Sequence, residues 1–126
     1  MANNINVLIV IDTEATQAGP TTVYMVDDNP RDQQGQGGNE LTINASVNDM
    51  IFWRVTGIIP ETNPELTQFV FTSGGNIFQG APSVVNGVWQ AQVAPVPPGT
   101  PQAVYHFNFT INGRGSYNWD PFINVT

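Results

Sequence analysis

The segment VYHFNFTI, at positions 104 to 111, places an apolar side chain at every second position. These apolar residues are Tyr105, Phe107, Phe109 and Ile111. Because successive side chains of a β-strand point to opposite faces, this spacing predicts a strand with one buried and one solvated face. The segment LTINASV, at positions 41 to 47, alternates in the same way and predicts a second half-buried strand.

Further short segments have the composition of strands and are separated by clusters of glycine, proline and asparagine. We predict strands at positions 5 to 12, 21 to 26, 50 to 56, 68 to 72, 88 to 94 and 122 to 125. The ten prolines disfavour helices, and only ETNPELTQF, from position 61, could hold even one helical turn. About eight short strands predict an all-β, antiparallel β-sandwich with a jelly-roll-like arrangement. The last strand is expected beside the first.

The length and the termini indicate one small domain. A chain of 126 residues is the size of an ordinary domain and contains no linker, so we predict a single β-sandwich domain over residues 1–126. The chain has no cysteine, which leaves no disulfide framework and favours an intracellular protein. The first residues lack a basic region, and their apolar run is too short for a signal peptide or a membrane span. We therefore expect an intracellular protein, and the chain is expected to begin without a removable leader.

The charge composition excludes several partners. The chain has ten acidic residues, three arginines and no lysine, which gives a net charge of −7. Only 10% of its residues are charged, compared with roughly 25% in ordinary soluble domains. Binding to nucleic acid or to anionic lipid requires basic patches that this composition cannot supply. We predict neither partner.

The composition also argues against most catalytic chemistry. Without lysine there is no phosphate-loop motif and no Schiff-base nucleophile, and His106 is the only histidine. One histidine without cysteine does not make an ordinary zinc site. Asp27, Asp28, Asp32 and Glu40 could supply oxygen ligands for Ca²⁺, but their spacing is not that of an EF-hand, and DDNP is also a good turn. We predict no enzyme activity, no cofactor and no metal, and leave open whether the loop at 27–40 binds Ca²⁺.

Aromatic residues beside polar ones are the remaining candidates for a site. Exposed tryptophans next to planar polar groups can stack on sugars or small polar rings while hydrogen-bonding their hydroxyls. The tentative ligand-binding residues are Trp53, Arg54, Trp89, Trp119 and Asp120. The alternative is that all three tryptophans fill the core. In that case Asp120 and Pro121 start the last strand, and Trp119 closes one end of the sandwich.

Three further segments are INVLIVIDTE near the start, DMIFWRVTGI in the middle and GSYNWDPFINV near the end. Together they resemble the AidA/PixA family of bacterial inclusion-body proteins. The resemblance implies a jelly-roll-like sandwich. It also implies an abundant cytoplasmic bacterial protein, under quorum or stationary-phase control in some members and deposited in inclusions in others. The family provides no catalytic residues to transfer to this chain.

Two function hypotheses follow. The first is a non-enzymatic protein that associates with itself, as a homo-oligomer or a lattice, and is deposited in inclusions. The second is a lectin-like module that binds a carbohydrate or another small polar ligand. Because copies carrying −7 repel one another, we expect assembly to be favoured by mild acid, salt or Ca²⁺.

Overall fold

A computed structural model describes residues 3–12, 23–29, 32, 36–37, 41–58, 64–73, 77–80, 82–95, 103–111, 114–117 and 121–125. Within these residues the chain forms ten β-strands. They are β1 (Asn4–Ile11), β2 (Val23–Asp27), β3 (Thr42–Ala45), β4 (Met50–Gly57), β5 (Pro64–Ser73), β6 (Ser83–Val85), β7 (Val88–Gln92), β8 (Ala103–Ile111), β9 (Arg114–Tyr117) and β10 (Phe122–Val125).

The strands form two sheets. The first sheet has the order β2-β1-β4-β7-β6, and the second has the order β3-β10-β8-β5, with β9 paired to β8. The predicted all-β sandwich is confirmed. The expectation of purely antiparallel pairing is corrected at two places, since β1 pairs with β4 and β10 pairs with β3 in parallel. Both parallel pairs join strands distant in sequence, so no hairpin turn signals them.

The core lies between the sheets and follows the predicted alternation. Tyr105, Phe107 and Phe109 on β8 are fully buried, while the residues between them are half-buried. Leu41, Ile43 and Ala45 on and before β3 are buried in the same way. Burying one large apolar side chain contributes about 1.5 to 3 kcal/mol. The period-two pattern therefore decides which face of each strand turns inwards.

The structure differs from the sequence-based expectations at three places. The segment from Pro64 to Ser73 is the strand β5, so the helical turn that the sequence allowed near Pro64 is not formed there. Pro64 is its first residue, and β5 is the last strand in its sheet order, a position that tolerates a missing N–H. The last strand, β10, lies in the second sheet, whereas β1 lies in the first. The short strands β6 and β9 were not predicted.

Polar contacts join the two sheets near both margins of the sandwich. At one end, Asp32 and Asn29 bind Asn44 on β3, close to the end of β2. We call this the acid edge, defined by Asp27, Asn29, Asp32 and Asn44. At the other end, the indole N–H of Trp89 on β7 donates to the carbonyl of Leu66 on β5 at 3.3 Å. We call this the cavity edge, defined by Glu65, Leu66, Val84 and Trp89.

Candidate functional site

Trp53 lies at the centre of the core. Its side chain is fully buried, and its ring contacts four other aromatic rings at centroid distances of 5.4 to 6.1 Å. Its indole Nε1 donates to the Tyr105 hydroxyl at 3.3 Å, which satisfies the polar atom inside the sandwich. Trp53 is therefore inaccessible to a ligand at the surface. It does not belong to the ligand-binding residues, contrary to the tentative prediction. Its position matches the alternative that tryptophan fills the core.

Trp89 is the cross-strand partner of Trp53 but lies closer to the margin of the sandwich. Its side chain is half-buried and packs edge-on against Phe107, with ring centroids 5.6 Å apart. It borders a cavity of about 380 Å³ at the cavity edge. The lining residues are Val55, Pro64, Glu65, Leu66, Val84, Gly87 and Trp89. A cavity of this size matches the lower part of the range for small-molecule sites.

The outer wall of the cavity is a hairpin of which only the second strand, β7, was predicted from the sequence. Strands β6 and β7 are joined by Asn86 and Gly87, which both have positive φ, at 52° and 79°. Two positive φ values in a two-residue loop are typical of a type I′ turn, for which Asn-Gly is the preferred sequence. That dipeptide between two apolar pairs is the signal that could have predicted β6. The hairpin places Val84, exposed over 53% of its surface, beside Trp89.

Arg54 lies on the opposite face of the first sheet from Trp89. It is exposed, and its Nη1 donates to the Asn6 side-chain oxygen at 3.1 Å. The structure therefore separates the predicted residues: Trp53 is inside, Trp89 borders a cavity and Arg54 is on the outer face. Trp119 and Asp120 lie outside the described residues. Pro121, which is described, is buried, and its carbonyl accepts a hydrogen bond from the backbone N–H of Tyr105 at 3.1 Å.

The acid edge contains two neighbouring carboxyl groups. Asp32 is 5% exposed, and its Oδ1 accepts hydrogen bonds from the backbone and side-chain nitrogens of Asn44, at 2.8 and 3.1 Å. Asp27 Oδ1 accepts from Gln36 Nε2 at 2.6 Å. Gln36 Nε2 also donates to the backbone carbonyl of Asp32 at 3.1 Å, so one amide group contacts both aspartates. Their Oδ2 atoms are both buried and receive no hydrogen bond from the described residues.

Burial and the adjacent carboxyl group raise the pKa of Asp27 from 3.8 to about 7, against a lowering contribution from Gln36. Asp28, the next residue, points to the outer surface and behaves differently. Desolvation acts to raise its pKa, but hydrogen bonds from the side chain and backbone of Asn6 outweigh it and lower the pKa of Asp28. Two adjacent aspartates therefore differ in protonation because they face opposite sides of β2.

The four acidic residues of the loop at 27–40, for which Ca²⁺ binding was left open, do not form a metal-binding cluster among the described residues. Within the ranges given above, no three histidine, cysteine, aspartate or glutamate side chains are placed to hold one metal ion. Glu40 lies outside those ranges. Among the residues that the structure describes, there is also no helix with the length and apolar character needed to cross a membrane.

The fold and the edge cavity define a β-sandwich protein of two mixed sheets. The chain belongs to the family described as Domain of unknown function (DUF8788), whose family model matches residues 3–117. This match ends before Trp119 and Asp120. A comparison with curated protein sequences gave no match.

A solved structure with a similar fold is that of the inclusion body protein PixA from Burkholderia cenocepacia J2315. The TM-score is 0.68 at 16% sequence identity, over 100% of this chain and 97% of that chain. The similarity confirms the predicted resemblance to PixA-like proteins at the level of the fold.

Proposed function

We propose that this protein is a non-enzymatic, self-associating protein of the inclusion-body type, which assembles in the cytoplasm. Support comes first from its fold, which is similar to that of an inclusion body protein. The observation that carries the proposal is an apolar patch on the outer face of the first sheet. We call this patch, with its polar border, the Leu8 face, defined by Leu8, Tyr24, Val26, Asn6, Asp28 and Arg54.

The Leu8 face is made by neighbouring side chains on three strands. Leu8 on β1 is directly opposite Val26 on β2 and Arg54 on β4. Leu8, Tyr24 and Val26 are exposed over 39%, 40% and 40% of their surfaces. Contiguous exposed apolar side chains with a polar border are a common feature of protein interaction surfaces.

The polar border of the Leu8 face is complementary to itself. Asn6 donates to Asp28 at 2.8 Å and accepts from Arg54 at 3.1 Å, so one row carries a negative and a positive charge. In a two-fold symmetric dimer the same surface meets itself, and Asp28 of one copy can approach Arg54 of the other. A second copy of this chain therefore fits the face both by its apolar patch and by its charges.

The remaining surface is also suited to contacts between copies. Ordering a lysine side chain in a contact costs up to about 2 kcal/mol of conformational entropy, and this chain has no lysine. The opposing effect is the net charge of −7, which makes copies repel one another. Salt screens this repulsion and mild acid reduces the charge, so both are expected to favour assembly.

The test compares two valines in exposed strand positions. Val26 lies in the Leu8 face, whereas Val85 lies on β6 and is exposed over 49% of its surface. We expect Val26→Asn to reduce assembly, measured by light scattering and sedimentation velocity at a fixed protein concentration. Val85→Asn is the matched control and should leave assembly unchanged. A wild-type protein that stays monomeric at high salt and mild acid would refute self-association. Equal effects of the two variants would refute the Leu8 face.

A second candidate function is the binding of a small polar ligand, such as a sugar. The ligand would bind in the cavity that Trp89 borders. Trp89 offers a partly exposed aromatic face, and Glu65 offers an exposed carboxylate beside it. This pairing of a stacking surface with a hydrogen-bond acceptor supports carbohydrate binding.

The indole N–H signals in a nitrogen–proton NMR spectrum test this second function. A panel of monosaccharides should shift the signal of Trp89, which borders the cavity. The signal of Trp53, which is fully buried, is the internal reference and should stay unchanged. If no sugar shifts the Trp89 signal, the cavity does not bind this class of ligand.

A further inference from the structure

The acid edge contains an arrangement that the proposed self-association does not use. Asp27 ends β2, the first strand in the order of the first sheet, and Asp32 contacts β3, the first strand in the order of the second. The neighbouring carboxyl groups of these two residues therefore lie where the margins of the two sheets meet. Each Oδ1 atom has a donor, and each Oδ2 atom is buried without one among the described residues.

Two buried carboxylate oxygens on neighbouring groups, each without a donor among the described residues, cannot satisfy each other while both groups are ionised. Each oxygen is only an acceptor in the charged form, and like charges in a poorly solvated place repel. One added proton changes this, because a protonated carboxyl group donates a hydrogen bond to the other carboxylate. The pair then has one charge, and both Oδ2 atoms have a partner.

We propose that Asp27 and Asp32 form a proton-binding site that joins the two sheets when it holds one proton and loosens them when that proton is lost. The site is a pH-sensitive contact between the two sheets at the acid edge. Its action does not depend on self-association or on the cavity at the other edge.

The described surroundings of the pair favour a proton over a metal ion. Ca²⁺ takes six to eight oxygen ligands, whereas among the described residues the pair offers two buried carboxylate oxygens without donors. The other described titratable and charged groups nearby are Tyr105, Asp28 and Arg54. Asp28 and Arg54 are exposed and bind Asn6 on the outer face. Burial raises the pKa of Tyr105, and the two aspartates raise it further against the opposing effect of its bond to Trp53. Its hydroxyl therefore stays neutral.

The raised pKa of Asp27 supports the proposal and determines the pH window. Its value is about 7 in the folded chain, compared with a usual value of 3.8. A group with a raised folded pKa binds its proton more tightly in the folded state. Its stabilising effect is therefore complete below the unfolded pKa and is lost as pH rises towards the folded value. Within this window the unfolding equilibrium constant should increase by about tenfold per pH unit from this one proton.

The variant Asp27→Asn tests the proposed proton-binding site. The new amide group can donate to Asp32 Oδ2 at every pH and can still accept from Gln36. We expect the urea unfolding midpoint of the wild type to fall between about pH 5 and pH 8, and that of Asp27→Asn to fall much less. The matched control is Asp28→Asn, which changes the adjacent carboxylate on the outer face. This control should keep the wild-type decrease.

A direct measurement completes the test. The carboxyl carbon signals of the pair should report one proton released near pH 7, by carbon NMR of the folded wild-type protein. An Asp27 carboxyl that titrates at its usual value of 3.8, or equal pH profiles for wild type and Asp27→Asn, would overturn the proposal. It would also be overturned if Ca²⁺ restored the wild type at high pH, and did not act on Asp27→Asn, because the pair would then be a metal site.

Discussion

The two edges of the sandwich hold the sheets together by different chemistry. At the acid edge, Asp32 and Asn29 connect to Asn44 through three hydrogen bonds of 2.8 to 3.1 Å. At the cavity edge, the described polar link between β7 and β5 is a bond of 3.3 Å from Trp89 to Leu66. The cavity edge also borders an open cavity of about 380 Å³. One margin is filled by polar groups, and the other leaves room beside an aromatic ring.

Because the two edges differ in this way, stability and ligand binding are expected to depend on different edges. A buried network of carboxylates and amides is sensitive to the loss of any member, because each partner left behind is unsatisfied. An edge with an open cavity can rearrange after a substitution and can accept a guest. We therefore expect changes at the acid edge to affect stability, and changes at the cavity edge to affect binding.

The largest effect is expected from Asp32→Ala. This change removes the acceptor of the backbone and side-chain N–H groups of Asn44. Leaving these donors without a partner should lower the free energy of unfolding by about 2 to 4 kcal/mol. Urea denaturation at about pH 5, where the pair is proposed to hold its proton, is the measurement.

Asp32→Asn is the matched control for that change. The asparagine oxygen can accept from Asn44, and its amide can donate to Asp27 Oδ2. Its stability should therefore remain within about 1 kcal/mol of the wild type. If Asp32→Ala were as stable as this control, the acid edge would not be the more demanding of the two margins.

A smaller effect is expected from Trp89→Phe at the cavity edge. The phenyl ring can still pack against Phe107, and the main loss is the 3.3 Å bond to the Leu66 carbonyl. The free energy of unfolding should decrease by about 1 kcal/mol, measured by thermal and urea denaturation.

The cross-strand partner supplies the comparison for Trp89→Phe. Trp53→Phe leaves a gap in the core and removes the bond to the Tyr105 hydroxyl. It should therefore cost about 2 kcal/mol or more. Equal costs for the two tryptophans would mean that the cavity edge is packed as tightly as the centre.

The sequence predicted the parts of the fold that have one buried face. Strands such as β8 and β3 were found because alternate apolar side chains enter the core, and this alternation is visible as a period of two. Strand β6 has three exposed residues and therefore no such pattern. Strand β5 was predicted too short because Pro64 is usually a helix and strand breaker, yet it is accepted as the first residue.

The candidate site was less predictable, because its members meet only through the pairing of distant strands. Trp53 and Arg54 are neighbours in sequence, but the alternation sends one inwards and the other outwards. The parallel pairing of β1 with β4 places Leu8 beside Arg54, which no local signal indicates. The segment from Asp27 to Asp32 is a plausible turn in sequence, and nothing in it indicates that one amide, that of Gln36, contacts both aspartates.

The smallest effect on stability is expected from Glu65→Gln at the cavity edge. Glu65 is exposed, and its backbone pairs with Thr110 of β8 whatever the side chain is. The free energy of unfolding should therefore change by no more than about 0.5 kcal/mol. If the cavity binds a sugar, the same substitution should weaken that binding, because a neutral amide is a poorer acceptor for hydroxyl groups than a carboxylate. Calorimetric titration and urea denaturation of the same preparation measure both quantities. A loss of stability without a change in binding would place Glu65 among the residues that hold the sheets together, and would remove the contrast between the two edges.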